Sequence, residues 1–278
     1  MDFETTFIFG IFAFVFGTII GSFLNVVSLR FNTGMGVNGR SKCFSCGKGL
    51  VWHELIPLFS FAAQKGRCKK CRSKISWQYP VVEFISGAIF VLIFMKFPPV
   101  DAASAITTLI YLFITTLLIV ITVYDIKHKI IPDSLSYTFA GVAFLGLFFG
   151  SGGAVNSGVS LFHIPLLINL LSGPLCAAPF VILWVVSRGA WMGLGDAKLM
   201  LGIGWTLGFI AAVSSLVLAF WIGAIVSVLW MFVRFGKVRG NYEIPFAPYL
   251  ILGMYIVLFS RILVIDLRPI LAIINIPS

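Results

Sequence analysis

The chain is divided by apolar runs of about 20 residues, the length a helix needs to cross the hydrocarbon core of a bilayer, and this spacing constrains its fold more than any other feature. Lipid offers no water to an open backbone, so such runs must close their own hydrogen bonds, as helices do. Of the 278 residues, 59% are hydrophobic and only 11% charged, more apolar surface than a soluble globular protein needs. The expected fold is all-α: a polytopic membrane bundle of about eight spans. They lie near residues 6–29, 80–97, 104–124, 134–150, 164–187, 197–213, 214–233 and 248–265. The sixth and seventh are short and nearly continuous, which predicts a tight hairpin and keeps a count of about seven open. The first run is too long for a signal peptide, lacks a basic leader and follows Asp2 and Glu4.

Charge orients these spans. The net charge is +10, yet ten of the 20 Lys and Arg residues fall between Arg30 and Lys74. Lys127, Lys129, Arg188, Arg234, Lys237 and Arg239 lie on the same side if the amino terminus is external. The positive-inside rule then makes the 30–79 loop cytoplasmic, with both termini outside. Such uneven charge points to a lipid bilayer and not to nucleic acid. The chain divides into a first span (1–29), a cytoplasmic loop domain (30–79) and a membrane core (80–278).

The loop carries Cys43-Phe-Ser-Cys46 and Cys68-Lys-Lys-Cys71, two C-x-x-C knuckles resembling a zinc ribbon. Nearby lysines and arginines offset the charge of a tetrathiolate, and a reducing cytoplasm argues against disulfides. Four sulfurs fill a tetrahedral zinc and leave no position for chemistry, so this Zn²⁺ is expected to be structural, folding a loop too small for a large core. Cys176 reads as a buried apolar residue. The apolar stretch from Trp52 to Phe61 has two readings, a ribbon core or a membrane-surface contact.

Two acidic residues stand where lipid tolerates them least. Asp125 closes LIYLFITTLLIVITVYD and Asp196 sits in WMGLGDAKLMLGIGW, both on the cytoplasmic side of the predicted spans. Each has a bland alternative: Asp125 as a marker of the water interface, Gly193 and Gly195 as ordinary small-residue packing. Together they suggest a carboxyl pair sharing a proton, the arrangement of an aspartyl protease. Asp133 is expected to cap a helix, His128 to sit at the interface, and Lys198 to be a poor partner for Asp196 two residues away. Gly17-x-x-x-Gly21 predicts close helix packing, and Glu83 calls for a partner such as a loop arginine or lysine.

These pieces, in order, resemble the type IV prepilin peptidases, the bifunctional leader peptidase and N-methyltransferase of pilus and type II secretion systems. GSFLNVV at 21–27, the two knuckles, ISWQYPVVE at 75–83, Asp125 to Pro132-Asp133, GLGDAKLM at 193–200 and IPFAPYLILG at 244–253 carry the likeness over nearly the whole chain. The first span continues as Leu29-Arg30-Phe31 where many members have arginine-leucine-proline. The resemblance implies a GxGD-type aspartyl protease with Asp125 and Asp196 catalytic. It also implies prepilin or pseudopilin substrates with a basic leader ending in glycine, cut before a residue that is often phenylalanine. S-adenosylmethionine is the implied methyl donor and the bacterial inner membrane the implied location; no glycine-rich loop marks where the donor binds. A homo-oligomer is compatible with such a chain. The competing reading is a proton- or cation-coupled transporter using the two aspartates, against which the sequence offers no internal repeat and no second pair of broken helices.

Overall fold

A computed structural model describes residues 3–33, 39–149, 167–233, 245–260 and 263–264. Within them the chain forms nine α-helices and no extended strand. They are α1 (Phe3–Arg30), α2 (Phe59–Ala63), α3 (Gln78–Lys96), α4 (Ala102–His128), α5 (Asp133–Gly146), α6 (Leu167–Ser187), α7 (Leu194–Leu207), α8 (Phe209–Val233) and α9 (Ala247–Ser260). Apart from the short α2, each occupies one of the expected spans. Five of them, α1, α3, α4, α6 and α8, are long and apolar enough to cross a bilayer. With 14 described residues each, α5, α7 and α9 measure about 21 Å, less than the thickness of the hydrocarbon core.

The expected break between the sixth and seventh runs is present, but it comes earlier than hydropathy places it. Gly208 alone, at φ +79°, separates α7 from α8. The apolar run continues unbroken through this corner, so hydropathy is blind to it, whereas the positive φ needs a residue without a Cβ. The expected basic cluster Arg234, Lys237 and Arg239, and Ile244 of the closing motif, lie outside the described residues.

Small residues set the helix contacts. A Cβ on Gly17 would meet Gly87 and Phe90 at 2.8 Å, and one on Gly21 would meet Ser86 at 2.7 Å, so the G-x-x-x-G face of α1 lies directly on α3. α7 is wedged in the same manner: Gly202 faces the Phe139 ring of α5, and Gly204 faces the Ser172 carbonyl and Gly173 of α6. Around it Leu118, Phe139, Met200, Ile203 and Met254 form the main apolar core, which includes Cys176. This core joins α4, α5, α7 and α9, the helices that carry or flank the two aspartates.

Candidate active site

Asp125 is not at the end of its helix. α4 runs one turn further, to His128, and stops at Lys129, whose N–H bonds back to the Asp125 carbonyl at 2.8 Å with φ +55°. The turn before Pro132 thus lies beyond the acid, and Asp125 is only 4% exposed. The backbone N–H of Ala247, the first residue of α9, lies beside its carboxyl. Among the described residues its oxygen Oδ2 is buried without a hydrogen-bond partner. A buried acceptor left open costs stability and wants an explanation in function.

Asp196 occupies the third position of α7, where the helix dipole favours negative charge, and it is half-buried. It lies within electrostatic reach of Asp125. α9 packs on both α4 and α7, which places its amino terminus beside the pair. Of the two glycines before Asp196, only one is sterically required. A Cβ on Gly195 would meet the Cβ of Ile131 at 2.8 Å, while one on Gly193 would meet nothing closer than 3.9 Å.

The neighbours fall differently from the sequence reading. Asp133 does not cap α5; it is the first helical residue after Pro132, and its carboxylate takes the Lys198 ammonium at 2.6 Å. Lys198 is thus no partner of Asp196 but has one on the next helix. His128 is exposed and rests on the Tyr124 ring, 4.4 Å between centroids.

The four cysteines of the loop converge. Their Sγ atoms lie within 4.8 Å of one another and none is in a disulfide. The Cys43 and Cys71 sulfurs are 3.8 Å apart, the edge expected of a tetrahedron of thiolates on Zn²⁺, about 3.8 Å. The Cys46 and Ser45 N–H groups point at Cys43 and pull its thiol down to about 6, and the Ser73 hydroxyl and N–H pull Cys71 down as well. Both effects favour the thiolates a metal needs, whereas burial and the neighbouring cysteines push Cys46 up to about 11, so the metal's own charge is required to ionise all four. The donor set therefore fits zinc.

Among the described residues Glu83 finds no arginine or lysine. It accepts the backbone N–H of Leu58 at 2.8 Å with the Ser22 hydroxyl beside it, joining α1, α3 and the loop. Beside it Asn25, fully buried, donates to the carbonyls of Gly21 and Tyr79 and accepts from Gln78. Trp52 and Phe59 remain largely exposed and so do not form a ribbon core, while Phe61 packs on Trp77. The sequence reading missed the Ala247 N–H. A signal for it existed, since Pro248 in the first turn of α9 marks a helix start with amides to spare.

These features define a polytopic membrane protein with two aspartates brought together beside the amino termini of α7 and α9, and a separate four-cysteine loop. The family described as type IV leader peptidase matches residues 112–228, and the bacterial peptidase A24 N-terminal domain matches residues 15–97. The prepilin leader peptidase/N-methyltransferase of Klebsiella pneumoniae is 30% identical over 227 residues, covering 77% of this chain and 91% of that protein. The protein of the same description from Bacillus subtilis is 29% identical over 245 residues, 86% and 90% of the two chains. That from Myxococcus xanthus is 31% identical over 229 residues, 81% of this chain but 64% of the longer relative. No solved structure matches. The chain belongs to the type IV leader peptidase family.

Proposed function

We propose that this protein is a bifunctional processing enzyme of the bacterial inner membrane, which removes the leader of a type IV prepilin or pseudopilin and then methylates the new amino terminus. The family match and the relatives' names, prepilin leader peptidase/N-methyltransferase, support both activities. The observation that carries the peptidase chemistry is the Asp125 carboxyl, buried, with one oxygen unpartnered and Asp196 within electrostatic reach.

Asp125 and Asp196 act as the catalytic pair. One, ionised, takes a proton from a water that attacks the scissile carbonyl; the other, protonated, donates to the carbonyl oxygen as it gains charge. The proton taken from water passes to the leaving amine as the peptide bond breaks. The Ala247 N–H holds the Asp125 carboxyl in place, as α9 packs against both helices that carry the acids. Both acids lie within about a turn of the cytoplasmic ends of their helices, which suits a basic leader that stays in the cytoplasm while the pilin's apolar helix enters lipid.

The loop at 30–79 is a cytoplasmic domain whose four cysteines hold a structural Zn²⁺, and both termini are external. Residues 1–29 form the first span and 80–278 the membrane core. S-adenosylmethionine supplies the methyl group when bound. The test is mass spectrometry of a prepilin incubated with the purified protein in lipid and S-adenosylmethionine, beside Asp196→Asn. Loss of the leader after glycine with one added methyl supports both activities; no cleavage of several prepilins by well-folded protein overturns the reading.

A further inference from the structure

The ion pair between Asp133 and Lys198 joins the two motifs that carry the aspartates. Asp133 follows Asp125 after the short turn, and Lys198 follows Asp196 by two residues. Their atoms are 2.6 Å apart, and the same ammonium sits 4.8 Å above the Tyr137 ring. Asp133 and Tyr137 are four residues apart, so the carboxylate and the ring share one face of α5 and together form a seat for a single cation. The Lys198 side chain is 15% exposed where α7 packs on α5, while the Asp133 side chain that receives it is 69% exposed, so the pair sits at the rim of that packing.

Helix geometry gives this seat a consequence. Two residues apart on an α-helix are about 200° apart around its axis. When Lys198 is held on α5, Asp196 is turned to the opposite side of α7, away from α5. The Gly195–Ile131 approach at 2.8 Å brings the first turn of α7 close to the segment after α4, and Gly202 against Phe139 fixes the far end. Glycine contacts set how near the helices come, and buried Leu199, Met200 and Ile203 seat α7 in the core. The ion pair adds a directed contact to that packing at the end of α7 that carries Asp196.

We propose that the Asp133–Lys198 pair is a rotational latch, a positioning element that holds α7 in the phase that turns Asp196 toward Asp125. The proposal rests on the reading of these two aspartates as the catalytic pair. Neither latch residue touches the reacting atoms; both act through the direction in which Asp196 points.

The test measures prepilin cleavage by the full-length protein in lipid for wild type, Lys198→Met, Asp133→Asn, the double variant and Lys198→Arg. Methionine keeps the length of the stem and a favourable contact with the Tyr137 ring, so this variant should fold. The expected result is a fall in kcat of roughly tenfold to a hundredfold for either single variant, as for a misplaced catalytic group, with KM within about twofold. The double variant should be no worse than either single one, since both remove one interaction. Arginine, able to reach the same seat, should restore kcat to within about threefold of wild type. Unchanged kcat in both single variants overturns the latch, as do additive losses. A rise in KM with kcat intact also overturns it, because the pair would then bind the leader. If wild type itself leaves prepilins uncut, the catalytic reading fails first, and the two failures are told apart.

Discussion

Glu83 and Asp125 are buried to the same degree, 6% and 4% exposed, each near the end of a helix and each within reach of a backbone amide, yet their surroundings differ. Glu83 takes the Leu58 N–H at 2.8 Å with the Ser22 hydroxyl beside it, and so ties the loop to α1 and α3. Asp125 has the Ala247 N–H beside it, but its buried Oδ2 is left without a partner and a second carboxyl is nearby. Burial alone therefore does not separate a structural acid from the one proposed to react. What separates them is whether the surroundings satisfy the carboxyl, because an open acceptor beside a like charge is a cost that folding alone would not retain.

The largest expected effect breaks this comparison at its reactive side. Asp125→Asn and Asp196→Asn should each lower leader cleavage by about a hundredfold to ten-thousandfold, the range of a lost general acid or base. Thermal stability should hold or rise slightly, since the change removes an ionisable group whose charge is disfavoured beside a second carboxyl. Initial rates from mass spectrometry, with a thermal melt of the same samples, check both halves. A stability loss as large as that of a core variant would place Asp125 with Glu83.

A smaller effect on cleavage, though a complete one on metal, is expected in the loop. Cys68→Ser should abolish zinc retention at about one ion per chain, read by elemental analysis. Cleavage should stay within about threefold of wild type, because α4, α7 and α9 build the aspartate pair without the loop, and distant sites act independently. If cleavage falls as far as in Asp196→Asn, the loop and the site are not separable.

Much of this was legible in the residues. The membrane bundle follows from runs of apolar length, and the four-cysteine cluster from two knuckles, because both are local signals carried by spacing. Asp125 and Asp196 could be singled out because an acid beside an apolar run contradicts its surroundings. The partners of the acids and of Lys198 could not. The Ala247 amide, the Leu58 amide and the Lys198 seat on α5 come from residues 25 to 122 positions away, and backbone donors leave no mark in side-chain pattern. Asp133 shows the limit well: its place before Ser134 predicts a cap, yet Pro132 takes the cap position and frees the carboxylate for another helix.

On the structural side of the comparison, Glu83→Ala should cost about 1–3 kcal/mol by leaving the Leu58 N–H and the Ser22 hydroxyl without their acceptor. Glu83→Gln keeps an oxygen for Leu58 and should cost clearly less. Hydrogen exchange over residues 55–63 reads the effect where the loop meets α3, and faster exchange confined to this segment is the expected outcome. No change there would mean that the loop is held by other contacts.

The smallest effect sharpens a second comparison, between the two knuckles. They share one backbone plan: Cys43 N–H bonds the Lys48 carbonyl as Cys68 N–H bonds the Ser73 carbonyl, each at 2.9 Å. Each chain then turns through a positive φ just after its second cysteine, +67° at Gly47 and +57° at Arg72. Only the first knuckle has the residue suited to that turn; a side chain at a left-handed position costs about 1–2 kcal/mol. Arg72 also brings positive charge to a tetrathiolate, so replacing it removes two opposed effects at once. Comparing Arg72→Ala with Arg72→Gly separates them, since both lose the charge and only glycine loses the strain. Arg72→Gly should hold zinc more tightly than Arg72→Ala by about 1 kcal/mol, roughly fivefold in a chelator competition. Gly47→Ala should weaken it by a similar amount, and there the cause is φ alone, because nothing lies within 4 Å of the added Cβ. Equal affinities for the alanine and glycine variants at position 72 would mean that the second knuckle adjusts its turn when metal binds, and that the two knuckles are less alike than their hydrogen bonds make them.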